Sequence, residues 1–573
     1  MSRRIIRRRV LEVGATANLH ASTLLSRLYA LRGVRSEHEL DASLERMIPI
    51  RELDGIEAAV QLLLQHHADQ SRIVIIGDFD TDGATSTAVV VRQLRRLGFR
   101  QVEFLVPNRF QFGYGLTPEI VALAAQNKPD LIITVDNGIS SVAGVAAANA
   151  LNIPVLVTDH HLAGHELPAA AAIVNPNAPG NRFPSKALAG VGVAFYLMAA
   201  LTRAMSERGL VDAKGTSVAE LLDLVALGTV ADVVSLDANN RVLVAQGMKR
   251  IRAGRCVPGI RAMLEAANKR LETCVAADLG FQVGPRLNAA GRLDDMTLGI
   301  QCLLTDNLTA ARAIAAQLTQ MNLDRRDIEQ QMQAEALLAL AQMQLDVEHL
   351  PLGLCLYEEH WHQGVVGLVA SRVKDRLHRP VIAMARADDS TLKGSARSIP
   401  GVHIRDVLDA VAAHHPGLID KFGGHAMAAG LSIGADKLDA FRVAFDKEVK
   451  RWMTHDDAIG VVHSDGELGS NEFRLEIAKQ LRESGPWGQN FPEPLFDGEF
   501  RVIESRILGE RHLKLKVAIG NDSCEAIAFR HFDHDDAPQV RNGDNVRLAY
   551  RLDVNEFRGE EKLQLIVEYL ERA

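Results

Sequence analysis

Three acidic segments of this 573-residue chain have the residue types and spacing to do chemistry. Asp78, Asp80 and Asp82 alternate in Gly77-Asp78-Phe79-Asp80-Thr81-Asp82-Gly83, Asp136 stands in Val135-Asp136-Asn137-Gly138, and Asp159 precedes His160 and His161. Each segment follows a short apolar run. Hard carboxylates with adjoining imidazoles, delivered by the ends of strands in one sheet, form the donor set for a pair of Mn²⁺ or Mg²⁺ ions. Such a pair points to hydrolysis of a phosphate ester.

Alternate residues of an extended segment point the same way, so Asp78, Asp80 and Asp82 are expected to converge on one side beyond a strand. Without cations they would repel, and a solvated acidic turn is the alternative. An aspartyl phosphotransferase motif, D-x-D-x-T, fails on the residues, because Asp82 or Ala84 stands where Thr or Val is wanted. Asp136 lies before the turn signal Asn137-Gly138 and is expected at a strand tip, where it could bridge two ions. Capping a helix that begins near Ser140 is its competing role. Adjacent histidines point in different directions, so one of His160 and His161 can ligate metal while the other faces substrate. His66-His67 and His414-His415 have no strand before them and no acid beside them, and are read as surface or helix-end residues.

The elements that must position these groups follow from the apolar pattern. Runs at 72–76, 102–106, 131–135 and 153–157 are separated by helical stretches. Continuous apolar strands alternating with helices predict an α/β fold whose parallel sheet is covered on both faces, with ligands at the carboxyl ends of the strands. A Leu- and Ala-rich helical segment follows over 184–234 and carries Asp232 in Ala231-Asp232-Val233-Val234. Residues 305–350 contain neither Gly nor Pro and predict a long helix with at most one break. A second, smaller α/β domain is expected over 352–452, with strands at 352–357 and 380–384. Alternation at 511–517 and 546–569 suggests a small β-barrel.

The length suggests roughly three to four domains. The five cysteines are scattered, which argues against a disulfide framework or thiolate zinc site and for a reducing cytoplasm. The arginines at 3, 4, 7, 8 and 9 precede no signal-like apolar stretch, and no window reaches the length of a membrane span, so a cytoplasmic protein with no membrane association is expected. A formal net charge of -8 weighs mildly against nucleic-acid binding, although a local basic channel can coexist with an acidic total.

Arg109, Arg286, Arg292, Arg372 and Arg397 sit in Gly-, Asn- or Ser-containing segments where a guanidinium can fork onto phosphate, and of these Arg292 and Arg397 are favoured. A structural ion pair is the alternative for each. Gly423-Gly424-His425 could bring backbone N–H groups to an anion, or form a plain tight turn. Phe110, Phe112 and Tyr114 beside Arg109 could stack on unpaired bases or plug a lobe interface. Trp361 is read as core.

The four segments around Asp78–Asp82, Asp136, Asp159–His161 and Asp232 resemble the motifs of the DHH phosphoesterase superfamily. Gly284-Pro285-Arg286-Leu287-Asn288-Ala289-Ala290-Gly291-Arg292, Trp361-His362-Gln363-Gly364-Val365-Val366-Gly367, Gly394-Ser395-Ala396-Arg397-Ser398 and Phe422-Gly423-Gly424-His425-Ala426 resemble its bacterial single-strand exonucleases, over nearly the whole chain. The resemblance implies a 5′ to 3′ exonuclease specific for single-stranded DNA that requires Mn²⁺ or Mg²⁺. It implies a DHH domain at 51–304 after an N-terminal segment at 1–50, a connecting helix at 305–350, a DHHA1 domain at 351–455 and an OB-like domain at 456–573. Asp80 and Asp136 are then expected to hold one ion, with Asp78 joining or bracing it. Asp82, Asp136, His160 and Asp232 are expected to hold the other.

His161 would orient the scissile phosphate, and Asp159 would fix a histidine. Arg109, Tyr114, Asn288, Arg292, Arg372, Ser395, Arg397, Gly424 and His425 are the expected phosphate or DNA contacts. The DHHA1 domain is expected to close a cleft too narrow for a duplex. A monomer is expected, working in repair and recombination with a helicase and a single-strand-binding protein. Two departures from the family pattern stand out: Phe112 replaces a frequent acid before Gly113-Tyr114-Gly115, and Ser235 replaces a common Pro. A small-substrate phosphoesterase would not need the strand-rich segment after Asp456, and a non-catalytic scaffold would not need the complete donor set.

Overall fold

Strands buried on both faces need apolar side chains in both directions, and the runs ahead of the acidic residues supply them. The computed structural model describes residues 4–11, 19–106, 115–164, 166–212, 214–342, 350–424, 426–454, 460–533, 537–557 and 559–573. After a first strand, β1 (Arg4–Arg8), come β2 (Arg72–Gly77), β3 (Gln101–Leu105), β4 (Leu131–Val135), β5 (Val155–Thr158) and β6 (Ala172–Val174). These last five pair in the order β3-β2-β4-β5-β6, all parallel. Val74, Ile76, Ile132, Val155 and Val157 pack with Leu116, Ile120 and Val145 on one face. Each such side chain contributes about 1.5–3 kcal/mol over leaving it in water. The sequence reading names four of the five strands. β6 escapes it because three apolar residues carry no periodic signal.

The order of the sheet decides where a ligand can sit. The connection from β2 leads to β3 on one side, while β4 lies on the other, so the direction of winding switches between β2 and β4. A crevice opens at the carboxyl ends of the strands at such a point. Gly77 is level with Val135, and Val135 with Thr158, so Asp78, Asp136 and Asp159 are the next residues of three neighbouring strands.

The helices that close this site are α1 (Thr81–Arg96), α2 (Gly190–Glu207), α3 (Leu222–Ala231) and α4 (Gly284–Leu293). The long helix α5 (Leu308–Gln342) runs without a break through 35 residues. The chain forms two compact units. One comprises Val10–Asn322 with Lys479–Pro494, and the other Met1–Arg9, Leu323–Ala478 and Leu495–Ala573. In the first, the returning segment is held by an aromatic stack. Tyr29 lies 6.0 Å from Trp487, Trp487 lies 5.3 Å from Phe491, and the Arg241 guanidinium stands 4.4 Å over the Phe491 ring.

The second unit contains a mixed sheet in the order β10-β11-β9-β8-β7, built from β7 (Leu354–Tyr357), β8 (Val381–Arg386), β9 (Thr391–Arg397), β10 (Lys421–Gly424) and β11 (Ala428–Gly434). Helix α6 (Val366–Leu377) packs there, and Trp361 is core, 4% exposed, as its sequence context suggests. β12 (Gly460–Ser464) pairs in parallel with β1. The strands β13 (Phe496–Leu508), β14 (His512–Ile519), β15 (Asp522–Ala528), β16 (Asn545–Phe557) and β17 (Glu560–Arg572) close into a five-stranded barrel. Among the described residues, no helix is long and apolar enough to cross a membrane.

The amino terminus is fastened to the barrel by charge. Arg8 grips the Asp497 carboxylate with Nε and Nη2, each at 2.9 Å, while Ser464 and Arg547 donate to the same group. Burial alone would raise the Asp497 carboxyl, but the hydrogen bonds from Arg8, Ser464 and Arg547 outweigh it and hold the group below its ordinary value. A depressed carboxyl stabilises the fold above its unfolded-state pKa and loses that contribution as pH falls through the folded value. Thermal unfolding followed from neutral pH into acid should therefore fall more gently for Asp497→Asn than for the parent. Parallel curves would remove Asp497 from the acid sensitivity.

Candidate metal centre

β2 ends at Gly77 because the chain must turn into α1, and Asp80 makes that turn as the N-cap. Its Oδ1 accepts the Gly83 N–H at 3.0 Å. The extended geometry expected for 78–82 is thus corrected: Asp82 lies in the first helical turn. The Asp82 carboxylate accepts N–H groups from Gly190 (2.7 Å) and Val191 (2.9 Å) at the start of α2. The N-cap of that helix, Ala189, offers no side-chain acceptor, so Asp82 satisfies donors that would otherwise be orphaned.

Asp136 stands at the tip of β4 with φ 61°, a left-handed conformation that is uncommon outside glycine and is retained where surrounding contacts enforce it. The Asn137 side chain supplies such contacts, donating to Ile76 O (3.1 Å) and Val135 O (2.9 Å) and so joining the ends of β2 and β4. The helix beyond, Val142–Ala150, takes Ser141 as its N-cap, so Asp136 is not its cap. Gly190 leaves room: a Cβ there would stand 2.7 Å from Asp136 Oδ1 and 2.9 Å from its Cγ. Asp232 caps the carboxyl end of α3.

Asp159 is buried and fully engaged. One oxygen accepts Ile139 N–H (2.9 Å), and the other accepts the backbone N–H of His160 and His161 and lies 2.8 Å from His161 Nδ1. The loop after β6 secures the same pair from behind, with Asn177 Nδ2 donating to His160 O (2.6 Å) and Asn175 Nδ2 to His161 O (2.9 Å). Sequence reasoning missed Asn175, Asn177 and Gly190. The apolar triplet 172–174 followed by Asn175-Pro176-Asn177 is the signal that could have found the first two.

Three overlapping groups offer donor atoms all within 4.8 Å of one another: Asp78, Asp80 and Asp136; Asp82, His160 and Asp232; and Asp136, His160 and His161. His160 Nε2 lies 3.1 Å from Asp136 Oδ1, 3.5 Å from Asp232 Oδ2 and 3.8 Å from Asp82 Oδ2. Burial and then mutual repulsion push the Asp136 and Asp232 carboxyls well above the usual range and Asp82 up to about 7. For His161, burial works against the charged form, but the Asp159 hydrogen bond and the nearby acids prevail and raise it to about 9.

Asp232 Oδ2 is buried and has no hydrogen-bond partner among the described residues. Five carboxylates and an imidazole with such an atom fit divalent cations: oxygen donors dominate, and positive charge removes the repulsion.

The other predicted residues divide. Asn288 is turned toward the acidic loop, where its Oδ1 accepts both the N–H and the hydroxyl of Thr81 at 2.8 Å. Through Oδ1 it braces the loop. Arg292 stands in the last turn of α4. Arg286 is buried and donates to Thr319 Oγ1. Arg372 donates through Nε to Glu329 at 2.9 Å, the structural ion pair that was its alternative.

In the second unit, Arg397 Nη1 donates to Ser395 Oγ at 2.8 Å on β9. A Cβ on Gly367, in the first turn of α6, would lie 2.8 Å from Arg397 Nη2 and 2.9 Å from Ser395 Oγ. Arg397 and Ser395 therefore lie against a helix start. Gly424 ends β10 with φ 146°. Arg109, Phe110, Phe112, Tyr114 and His425 lie outside the described residues.

Three family descriptions match this chain: the DHH family, N-terminal domain, at residues 72–229, the DHHA1 domain at 350–451 and the RecJ OB domain at 464–569. The chain is 56% identical over 554 residues to the single-stranded-DNA-specific exonuclease RecJ of Dickeya dadantii, covering 96% of each. Among solved structures it resembles RecJ in complex with Mn²⁺ from Thermus thermophilus, with a TM-score of 0.80 and 28% identity over 100% of this chain and 79% of that one. A RecJ complex with Mg²⁺ from the same organism gives a TM-score of 0.75 and 27% identity over 100% and 78%.

Proposed function

Because the chain belongs to the RecJ family of single-stranded-DNA-specific exonucleases, we propose that it hydrolyses single-stranded DNA from the 5′ end, releasing 5′-mononucleotides with Mn²⁺ or Mg²⁺ as cofactor. The observation that carries the chemistry is the convergence of Asp78, Asp80, Asp82, Asp136, His160 and Asp232 at the switch point of the parallel sheet. Asp78, Asp80 and Asp136 would hold one ion, and Asp82, Asp136, His160 and Asp232 a second. Such a pair supplies an acidified water and neutralises charge building on the phosphate.

The chain's own groups do the rest. His161, its Nδ1 engaged by Asp159, directs its other ring nitrogen to a phosphate oxygen. Asp159 is a positioning residue, since its carboxylate is spent on backbone N–H groups and the imidazole. Ser395 and Arg397 suit a phosphate of the DNA strand, because a hydroxyl and a guanidinium lie together beside the first turn of α6. The barrel is a second surface for the strand. In this reading the protein works in the cytoplasm as a monomer in repair and recombination, on strands supplied by a helicase and covered by a single-strand-binding protein.

Single-stranded DNA labelled separately at each end tests the proposal. Label at the 5′ end should leave first as mononucleotide, only with Mn²⁺ or Mg²⁺ present, and chelator should stop release. Loss of the 3′ label first would overturn the polarity, and activity in chelator would overturn the metal requirement. Asp159→Asn should cost about 10- to 100-fold in kcat with KM for DNA little changed, the usual scale for removing a supporting hydrogen bond. A parent-like kcat would refute the positioning role.

A further inference from the structure

Two apolar side chains beside the acidic cluster are kept in solvent by backbone conformations that proteins seldom use. Val233, the residue after Asp232, is 62% exposed and has φ 60°. A β-branched residue is a steric outlier in that region. Phe281 is 72% exposed at the centre of a π-helical turn, Leu279–Val283, which leads directly into α4. Both kinds of irregularity collect at functional sites.

The two features share one wall. A Cβ on Gly280 would stand 3.2 Å from Val230 Cγ1, and one on Gly284 would stand 3.2 Å from Ala231 Cβ, so the π-turn rests on the end of α3 just ahead of Asp232. The wall then reaches the acids: Thr81 donates its hydroxyl to Gly284 O at 3.1 Å, and a Cβ on Gly291 would meet Phe79 O.

We propose that Phe281, on the turn that rests against the end of α3, is the platform on which the unpaired base next to the scissile phosphate rests, an inference that rests on the proposed DNA hydrolysis. The occupant follows from continuity with the hydrolytic site, since whatever places its phosphate among Asp78, Asp136 and Asp232 carries its neighbouring base past this wall. An unpaired base offers a free π-face to an exposed aromatic ring, whereas a base inside a duplex is already stacked on its neighbours. The platform therefore adds a preference for single strands that owes nothing to phosphate contacts.

The experiment compares the parent protein with Phe281→Ala and Phe281→Trp on an intact single-stranded oligonucleotide and on oligonucleotides carrying an abasic residue at the first, second or sixth nucleotide. Position is counted from the end at which the parent begins. Phe281→Ala should lower kcat/KM on the intact strand by about 5- to 150-fold, the range for stacking one base on an aromatic ring. The deficit should vanish when the abasic residue is first or second and persist when it is sixth, while Phe281→Trp keeps parent-like rates. An equal deficit on every oligonucleotide, or none on the intact strand, overturns the platform. A parent protein that leaves the intact strand undegraded overturns the proposed hydrolysis itself, and is thereby told apart from failure of the platform alone.

Discussion

Asp136→Ala should lower hydrolysis of single-stranded DNA by at least about 10³-fold, because the residue removed is common to both proposed ion sites and its loss acts on transition-state charge. DNA affinity, measured by fluorescence anisotropy, should stay at the parent level, since Asp136 lies at a buried strand tip and carries the wrong charge to hold a phosphate directly. The fold should survive as well. Asp136 sits among Asp78, Asp80, Asp82 and Asp232, so its removal relieves like-charge repulsion in the metal-free protein, and thermal unfolding in chelator should occur no lower than in the parent. Appreciable turnover by the variant would refute the shared-ligand role, and a collapsed unfolding temperature would mean that Asp136 serves the fold first.

A methyl group at Gly190 should do nearly as much damage without touching a ligand. Its Cβ would enter the Asp136 carboxylate at 2.7–2.9 Å, closer than real contacts allow, and the neighbouring backbone is already committed to Asp82 through the N–H groups of Gly190 and Val191. Something must move, and either movement displaces a donor. Gly190→Ala is expected to lose about 10²- to 10³-fold in activity, on the scale of losing one group preorganised for the transition state. Titration of Mn²⁺ into the variant, followed by calorimetry, should show weakened binding. Parent-like affinity for Mn²⁺ would show that the helix start yields without disturbing the acids.

The acidic segments were legible because they punctuate apolar runs, and a run that ends in Asp places that residue at a strand tip wherever the strand lies in the sheet. Asp136 and Asp159 were found in this way, and the register of Gly77, Val135 and Thr158 brings them level. Other features were not local. Alternation predicts an extended segment through Asp82, but N-capping by Asp80 overrides it and turns Asp82 toward a helix more than a hundred residues away in sequence. The hold of Asn288 Oδ1 on Thr81 spans 207 residues, and no local pattern shows it. Arg372 showed no sign of its partner because Glu329 is on a different helix. The return of 479–494 to the first unit depends on an aromatic stack assembled from distant segments.

The donor chemistry is legible along the chain: carboxylates and imidazoles that follow apolar runs form a set that suits hard divalent cations. So are the classes of the domains, since the periodicities of parallel strands, long helix and barrel are written locally. Only the folded chain gathers the acids and histidines into three overlapping donor groups, sets Gly190 against Asp136 and locks His161 with the Asp159 carboxylate. The physical reason is that donor type is a property of one side chain, whereas a site is a set of distances of a few ångströms. Those distances are set by strand order, register and helix placement, which join residues too far apart along the chain for any local pattern to connect.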